Sequence, residues 1–338
     1  MITVQKERSD VAAIASLLLG AFVTKIIPVG GGRNNRLYKA TYGDCVAAVK
    51  VYDRLSDGEF DRLSVEYETL QFLWGQGIRI VPQPIACDDT VGVAAFEWID
   101  GSVIEAPVTE DIEQALNFAL DLKALSSTPG ARKIRMAREA CLSADELIHQ
   151  VRSRFDRLHE MAGAFPALRK FLDRDFNPVF ESRVDRIGRT FAANGWLACE
   201  DISVAARTLS PSDFGFHNAL KENNGRIRFF DFEYFGWDDP VRLVADFVLH
   251  PGMNLTAEHK RLFVEKSKQA NGTDHTFERR LDLLLPMVGL RWCLILLNEF
   301  VPDRWARRAF AGATDHDAAR RRQLNKARDM LSRVTAAM

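Results

Sequence analysis

Hydrophobic positions in the first hundred residues fall in short runs, whereas beyond Gly101 they recur at the spacing of amphipathic helices. An apolar stretch over 11–23 predicts a helix begun near Ser9 or Asp10 and packed on the body. Cys45–Tyr52 alternates poorly and predicts a strand buried on both faces, and VGVAAFEWI over 91–99 predicts another. Between them, Ser56 and Glu59 stand in capping-box spacing, and Leu63, Tyr67, Leu70, Leu73 and Trp74 follow at helical intervals until Gly75 and Gly77. Helices are predicted over 112–125, 142–159, 166–173 and 177–194, with no further β-like run until Arg207. A hydrophobic helix over 285–300 carries Arg291, Asn298 and Glu299, which suit interhelix hydrogen bonding or the edge of a pocket. An Arg-rich helix over 318–334 has Leu324, Ala327 and Leu331 as its inner face. The pattern is that of an α+β chain: a strand-rich part over 1–98, a linker over 97–101, and a mostly helical part over 99–338.

A length of 338 residues exceeds what one core normally serves, in keeping with two parts. Lys and Arg number 45 against 46 Asp and Glu, so no basic excess points to nucleic acid. Cys45, Cys87, Cys141, Cys199 and Cys293 are scattered without a CxxC pair, which predicts reduced thiols, a cytoplasmic location and no zinc. The 11–23 run is too short to cross a bilayer, and Lys6 and Arg8 ahead of it are balanced by Glu7 and Asp10, so neither a membrane partner nor a signal peptide is expected. Nothing in the sequence speaks to oligomeric state.

Candidate chemistry concentrates in 209–246. Asp213, Asn218 and Asp231 lie on two hydrophobic segments joined by a polar turn over 221–226, a hairpin that would hold three oxygen ligands at one edge of a cleft. Hard oxygen donors suit Mg²⁺ and phosphates, and no Ser or Cys with a partnered base is evident. Upstream, Gly30, Gly31 and Gly32 lie between two β-like runs, as a bare hairpin turn or as a phosphate cover. Lys50, between Val49 and Val51, needs a countercharge or a phosphate unless it snorkels to solvent. Glu66, beside the apolar stripe of its helix, could meet it.

In this order the parts resemble the aminoglycoside phosphotransferase and choline kinase family of small-molecule kinases. Gly31, Gly32, Asn35 and Tyr38 match its GGxxNxxY pattern, 48–50 its AxK strand, and Glu66, Leu70 and Leu73 its ExxxLxxL helix. Asp213 and Asn218 match the catalytic DxxxxN, and Asp231, Glu233, Asp239 and Pro240 the hhDxE with its GDP-like turn. The resemblance implies a bilobal protein-kinase-like fold, an N-lobe antiparallel sheet with a helix, a mostly helical C-lobe, and ATP-dependent phosphoryl transfer to a hydroxyl of a small polar molecule. It implies that Lys50 holds the α and β phosphates, oriented by Glu66, that Gly31, Gly32 and Asn35 belong to the phosphate cover, and that adenine lies near Glu97 and Trp98. It further implies that Asp213 serves the substrate hydroxyl and that Asn218 and Asp231 bind Mg²⁺. Two departures stand out: Pro211 and Ser212 replace the His and Gly of the family's HGD, and three more residues than usual separate Pro240 from Asp246. With these departures, a catalytically silent kinase-like nucleotide-binding or scaffold protein is the alternative expectation.

Overall fold

A computed structural model describes residues 2–30, 35–52, 61–302, 305 and 315–336. Gly31, Gly32 and the 56–59 capping box lie outside the described residues. Contacts divide the chain into two compact units. The first comprises Met1–Glu105, Thr128–Arg135 and Gly215–Phe235, and the second Ala106–Ser127, Met136–Phe214 and Gly236–Met338. The units are discontinuous, whereas the sequence reading divides the chain once, at 98/99.

In the first unit, β1 (Val23–Val29), β2 (Asn35–Tyr42), β3 (Cys45–Tyr52), β4 (Pro84–Asp88) and β5 (Val93–Glu97) form an antiparallel sheet in the order β1-β2-β3-β5-β4. Strand period 2 gives β3 two distinct faces. Ala47 and Val49 point to one, where Val11 and Ala15 of helix α1 (Ile2–Leu19) close a core with Val23, Tyr38, Ala40, Val93 and Ala95. The helix begins before Ser9 because nothing in residues 2–8 breaks it: there is no Gly and no Pro. Lys50 and Tyr52 point to the other face, toward helix α2 (Arg62–Gly75), whose N-cap Asp61 accepts from the Ser64 amide at 3.2 Å.

A smaller sheet in the same unit has the order β6-β8-β9, from β6 (Ser102–Val103), β8 (Ala219–Lys221) and β9 (Ile227–Phe229). The β8–β9 hairpin turns as its polar residues predict. Gly225 sits at φ +85°, the Glu222 amide donates to the Arg226 carbonyl at 2.8 Å, and the Asn224 side chain accepts from the Arg226 amide at 2.9 Å. Gly101 lets the linker approach this hairpin: a Cβ there would lie 2.9 Å from the Lys221 carbonyl oxygen.

The second unit is helical apart from a short ribbon, β7 (Thr208–Ser210) paired with β10 (Gly236–Asp238). Its helices are α3 (Thr109–Leu125), α4 (Ala144–Met161), α5 (Pro166–Lys170), α6 (Asn177–Ala193), α7 (Pro240–Leu249), α8 (Ala257–Ala270), α9 (Phe277–Leu296) and α10 (His316–Ala336). Helix α9 is central, with α4, α6, α7 and α10 packed on it. Its apolar stretch is long enough to cross a membrane, but 67% of that window is buried by neighbouring helices, which is how a core helix comes to be apolar all round. Leu324, Ala327 and Leu331 do form the inner face of α10.

Candidate functional site

The first unit gathers the residues that the sequence links to phosphate and metal. Lys50 Nζ lies 2.6 Å from Glu66 Oε2, 2.6 Å from Asp231 Oδ1 and 3.4 Å from Glu233 Oε2. The lysine does not snorkel. Burial alone would lower its ammonium, but Asp231, Glu66 and Glu233 together hold it well above the ordinary value. Glu66 is fixed from three directions: Oε2 accepts from Lys50 and from the Tyr52 hydroxyl, each at 2.6 Å, and Oε1 accepts from the Phe232 amide at 3.2 Å. Burial and the Glu66 carboxylate push the Tyr52 phenol well above its usual range, so it stays a donor. Through Phe232, the carboxylate that orients the lysine also pins the backbone next to Asp231.

Asp231 reaches Lys50 at a conformational cost. Its φ is +69°, a left-handed value worth about 1–2 kcal/mol for an ordinary L residue, though Asp and Asn bear it best. The hairpin ladder continues one pair beyond β8 and β9, the Phe230 amide donating to the Asn218 carbonyl at 3.0 Å. Asn218 and Asp231 therefore stand at the same end of the hairpin. Glu233, which sequence reasoning left without a role, is 2% exposed and joins three elements: it accepts from Asn35 Nδ2 at the start of β2, meets Lys50, and lies 3.6 Å from Arg62 at the start of α2.

Glu97 and Trp98 turn out to be engaged locally. Arg228 of β9 holds the Glu97 carboxylate at 2.6 Å and also donates to Glu222 and the Val81 carbonyl, while the Glu97 amide donates to the Gln83 carbonyl at 2.8 Å. The Trp98 indole donates to Asp100 at 2.7 Å, with the Lys39 ammonium 4.4 Å above its ring.

Asp213 belongs to the second unit, where it follows a strained turn. Ser212 has φ +68° and the Asp213 amide donates to the Pro211 carbonyl at 2.9 Å, the geometry of a γ-turn. Serine here holds a left-handed φ that glycine adopts more readily. Its hydroxyl donates to the Arg138 carbonyl and accepts from Arg242, each at 3.4 Å.

Arg242 is the hub of a buried network that no motif signalled. It lies 3.2 Å from both Asp238 and Asp246 and donates to the Glu139 carbonyl. Asp246 also accepts from the Trp292 indole at 2.8 Å. Asp246 lies within α7, buried and bonded to both Arg242 and Trp292. Glu139, at φ +57°, binds Arg154 at 2.5 Å and Arg291 at 2.6 Å. Burial would raise its carboxyl, but the two guanidiniums outweigh that and lower it to about 2. Arg291 thus ties α9 to the turn at Glu139, and it lies 3.9 Å from Asp246 of α7. Asp239 caps α7 at the Val241 amide and pairs with Arg280, and burial pushes it up to about 6.

No family model matches the sequence, and no curated protein does. Solved structures do resemble the fold. A choline kinase of Streptococcus pneumoniae is 17% identical, with 97% of this chain and 99% of that chain covered and a TM-score of 0.58. A spectinomycin phosphotransferase held with ADP and spectinomycin is 13% identical, covering 97% and 98%, with a TM-score of 0.62. An aminoglycoside phosphotransferase held with ADP and hygromycin B is 12% identical, covering 96% and 98%, with a TM-score of 0.56. The chain therefore has the fold of the protein-kinase-like small-molecule kinases that its motifs resemble.

Proposed function

We propose that this chain is an ATP-dependent phosphotransferase that moves the γ-phosphate to a hydroxyl of a small polar molecule such as a sugar, an amino sugar or an amino alcohol. The observation that carries the reading is the ammonium of Lys50 held at 2.6 Å from both Glu66 and Asp231. The donor set also fits a hard dication. Oxygens of Glu66, Asp231 and Glu233 lie within 4.8 Å of one another, three carboxylates against the two cations Lys50 and Arg62. Asn218 and Asp231 would hold Mg²⁺, which when bound with ATP offsets charge on the β and γ phosphates.

In this reading Lys50 binds the α and β phosphates, the amides of Gly31 and Gly32 cover them with Asn35 at the foot of the turn, and adenine lies against the Glu97 and Trp98 backbone. Asp213 orients the acceptor hydroxyl and takes its proton as that oxygen bonds to the γ-phosphorus. The bond from the γ-phosphorus to the bridging oxygen breaks and ADP leaves. The glycine-like turn at Ser212 supports a working aspartate over a silent scaffold. The free cysteines suit a reducing compartment, and we place the reaction in the cytoplasm.

The test is magnesium-dependent ATP turnover against pooled sugars, aminoglycosides and amino alcohols. Asp213→Asn should lower turnover by about 10²–10⁴ while nucleotide still raises the melting temperature. Equal turnover in the variant would remove Asp213 from the chemistry. Nucleotide binding without turnover of any acceptor would favour the silent reading.

A further inference from the structure

The resemblance puts a histidine two residues ahead of the catalytic aspartate, and this chain has Pro211 there. A histidine approaches Asp213 from elsewhere in the same unit. His250 follows the last residue of α7, and its Nε2 lies 3.8 Å from Asp213 Oδ1. Its other ring nitrogen settles which one carries the proton. Nδ1 accepts the Gly252 amide at 3.0 Å, so the neutral imidazole is protonated on Nε2 and presents a donor to the carboxylate.

The ring is also held in plane. Trp292 of α9 meets it edge to face, with centroids 4.5 Å apart at 90°, and the Trp292 indole is fixed by Asp246 at 2.8 Å. Asp246 in turn bonds Arg242, the residue that also reaches the Ser212 hydroxyl. One chain of contacts thus runs from the buried face of α7 to both ends of the Ser212–Asp213 step. His250 is 16% exposed and Asp213 38%, so the aspartate is the more accessible of the two.

We propose that His250 is the positioning residue for Asp213: its Nε2–H holds one carboxylate oxygen and so sets the direction in which the carboxylate meets the acceptor hydroxyl. The separation of 3.8 Å is longer than a hydrogen bond and pairs charges only when the ring is protonated, and in this proposal it shortens when an acceptor is seated. The catalytic consequence rests on the phosphotransferase reading above, whereas the contact itself does not. Among the described residues of its own unit, charged groups near His250 include Asp213 directly and, through Trp292, Asp246 with Arg242 and Arg291.

Ring ¹⁵N NMR over a pH series tests the contact without any substrate, with the His250 resonance assigned by its loss in His250→Gln. The neutral ring should be the Nε2–H form, and Asp213→Asn should lower the His250 midpoint by about half to one pH unit. A midpoint that does not move, or an Nδ1–H ring, would overturn the proposal whether or not the protein turns over ATP. With an acceptor in hand, His250→Ala should lower kcat about tenfold or more at unchanged KM for ATP, and His250→Gln, which keeps an N–H donor, should recover part of it. Wild-type kcat in the alanine variant, or equal losses in both variants with equal falls in melting temperature, would show no positioning role.

Discussion

Lys50 has Glu66, Asp231 and Glu233 within 3.4 Å of its ammonium, and Arg242 has Asp238 and Asp246 within 3.2 Å of its guanidinium. Charge balance separates the two clusters, since each has one exposed carboxylate, Asp231 at 36% and Glu139 at 37%. Around Lys50 and Arg62 stand three carboxylates, so the cluster keeps an anionic excess. Around Arg242, Arg154 and Arg291 stand Asp238, Asp246 and Glu139, equal in number, with Asp238 wholly buried. A matched set holds a loop in place, whereas an unmatched set with an excess of carboxylates can still take up a cation.

The largest expected effect follows from breaking the matched set. Arg242→Met leaves buried Asp238 without its cation and Asp246 with only Arg291 at 3.9 Å, and should cost about 3–5 kcal/mol by denaturant unfolding. Lys50→Met should cost less, because Arg62 remains and water reaches Asp231, but it should abolish any stabilisation by nucleotide. If Lys50→Met proves the more damaging, the contrast between the clusters fails.

A smaller effect is expected at Asp231. Asp231→Asn brings three acids against two cations to two against two and keeps a side chain that tolerates left-handed φ. The lost pairing with Lys50 is offset by relief of repulsion from Glu66 and Glu233, so unfolding free energy should fall by about 1 kcal/mol or less. The shift in melting temperature produced by Mg²⁺ with ATP should disappear. A retained shift would remove Asp231 from the metal site.

The smallest effect concerns pH. Glu139 has a folded value lowered to about 2 from an ordinary 4.5, so its stabilising contribution is complete above about pH 4.5 and is lost as pH falls toward 2. Glu139→Gln should flatten that part of the stability-against-pH curve. An unchanged slope would show that the carboxylate is not held by Arg154 and Arg291.

What the sequence disclosed follows physical range. Lys50 was legible because two valines flank it in a strand, and the β8–β9 turn because Asn224 and Gly225 are suited to its geometry. The helices over 112–125 and 177–194 were legible because their apolar positions repeat at short spacing. Partners far apart in the chain left no such trace: Arg291 meets Glu139 across 152 residues and Asn35 meets Glu233 across 198. Ser212 gives no hint of its left-handed turn, since only glycine advertises that conformation. Asp246 was legible in kind but discounted on spacing.

The discontinuity of the first unit bears on how the chain is made. Lys50 and Glu66 are synthesised early, yet the partner that completes their cluster, Asp231, lies 181 residues beyond the lysine. During translation the five-stranded sheet emerges with an ionic face that must wait for the β8–β9 hairpin, and a chain halted near residue 105 would expose that face to water. The Lys50 cluster should therefore mature only after residue 235 has left the ribosome, late for a unit that opens the chain.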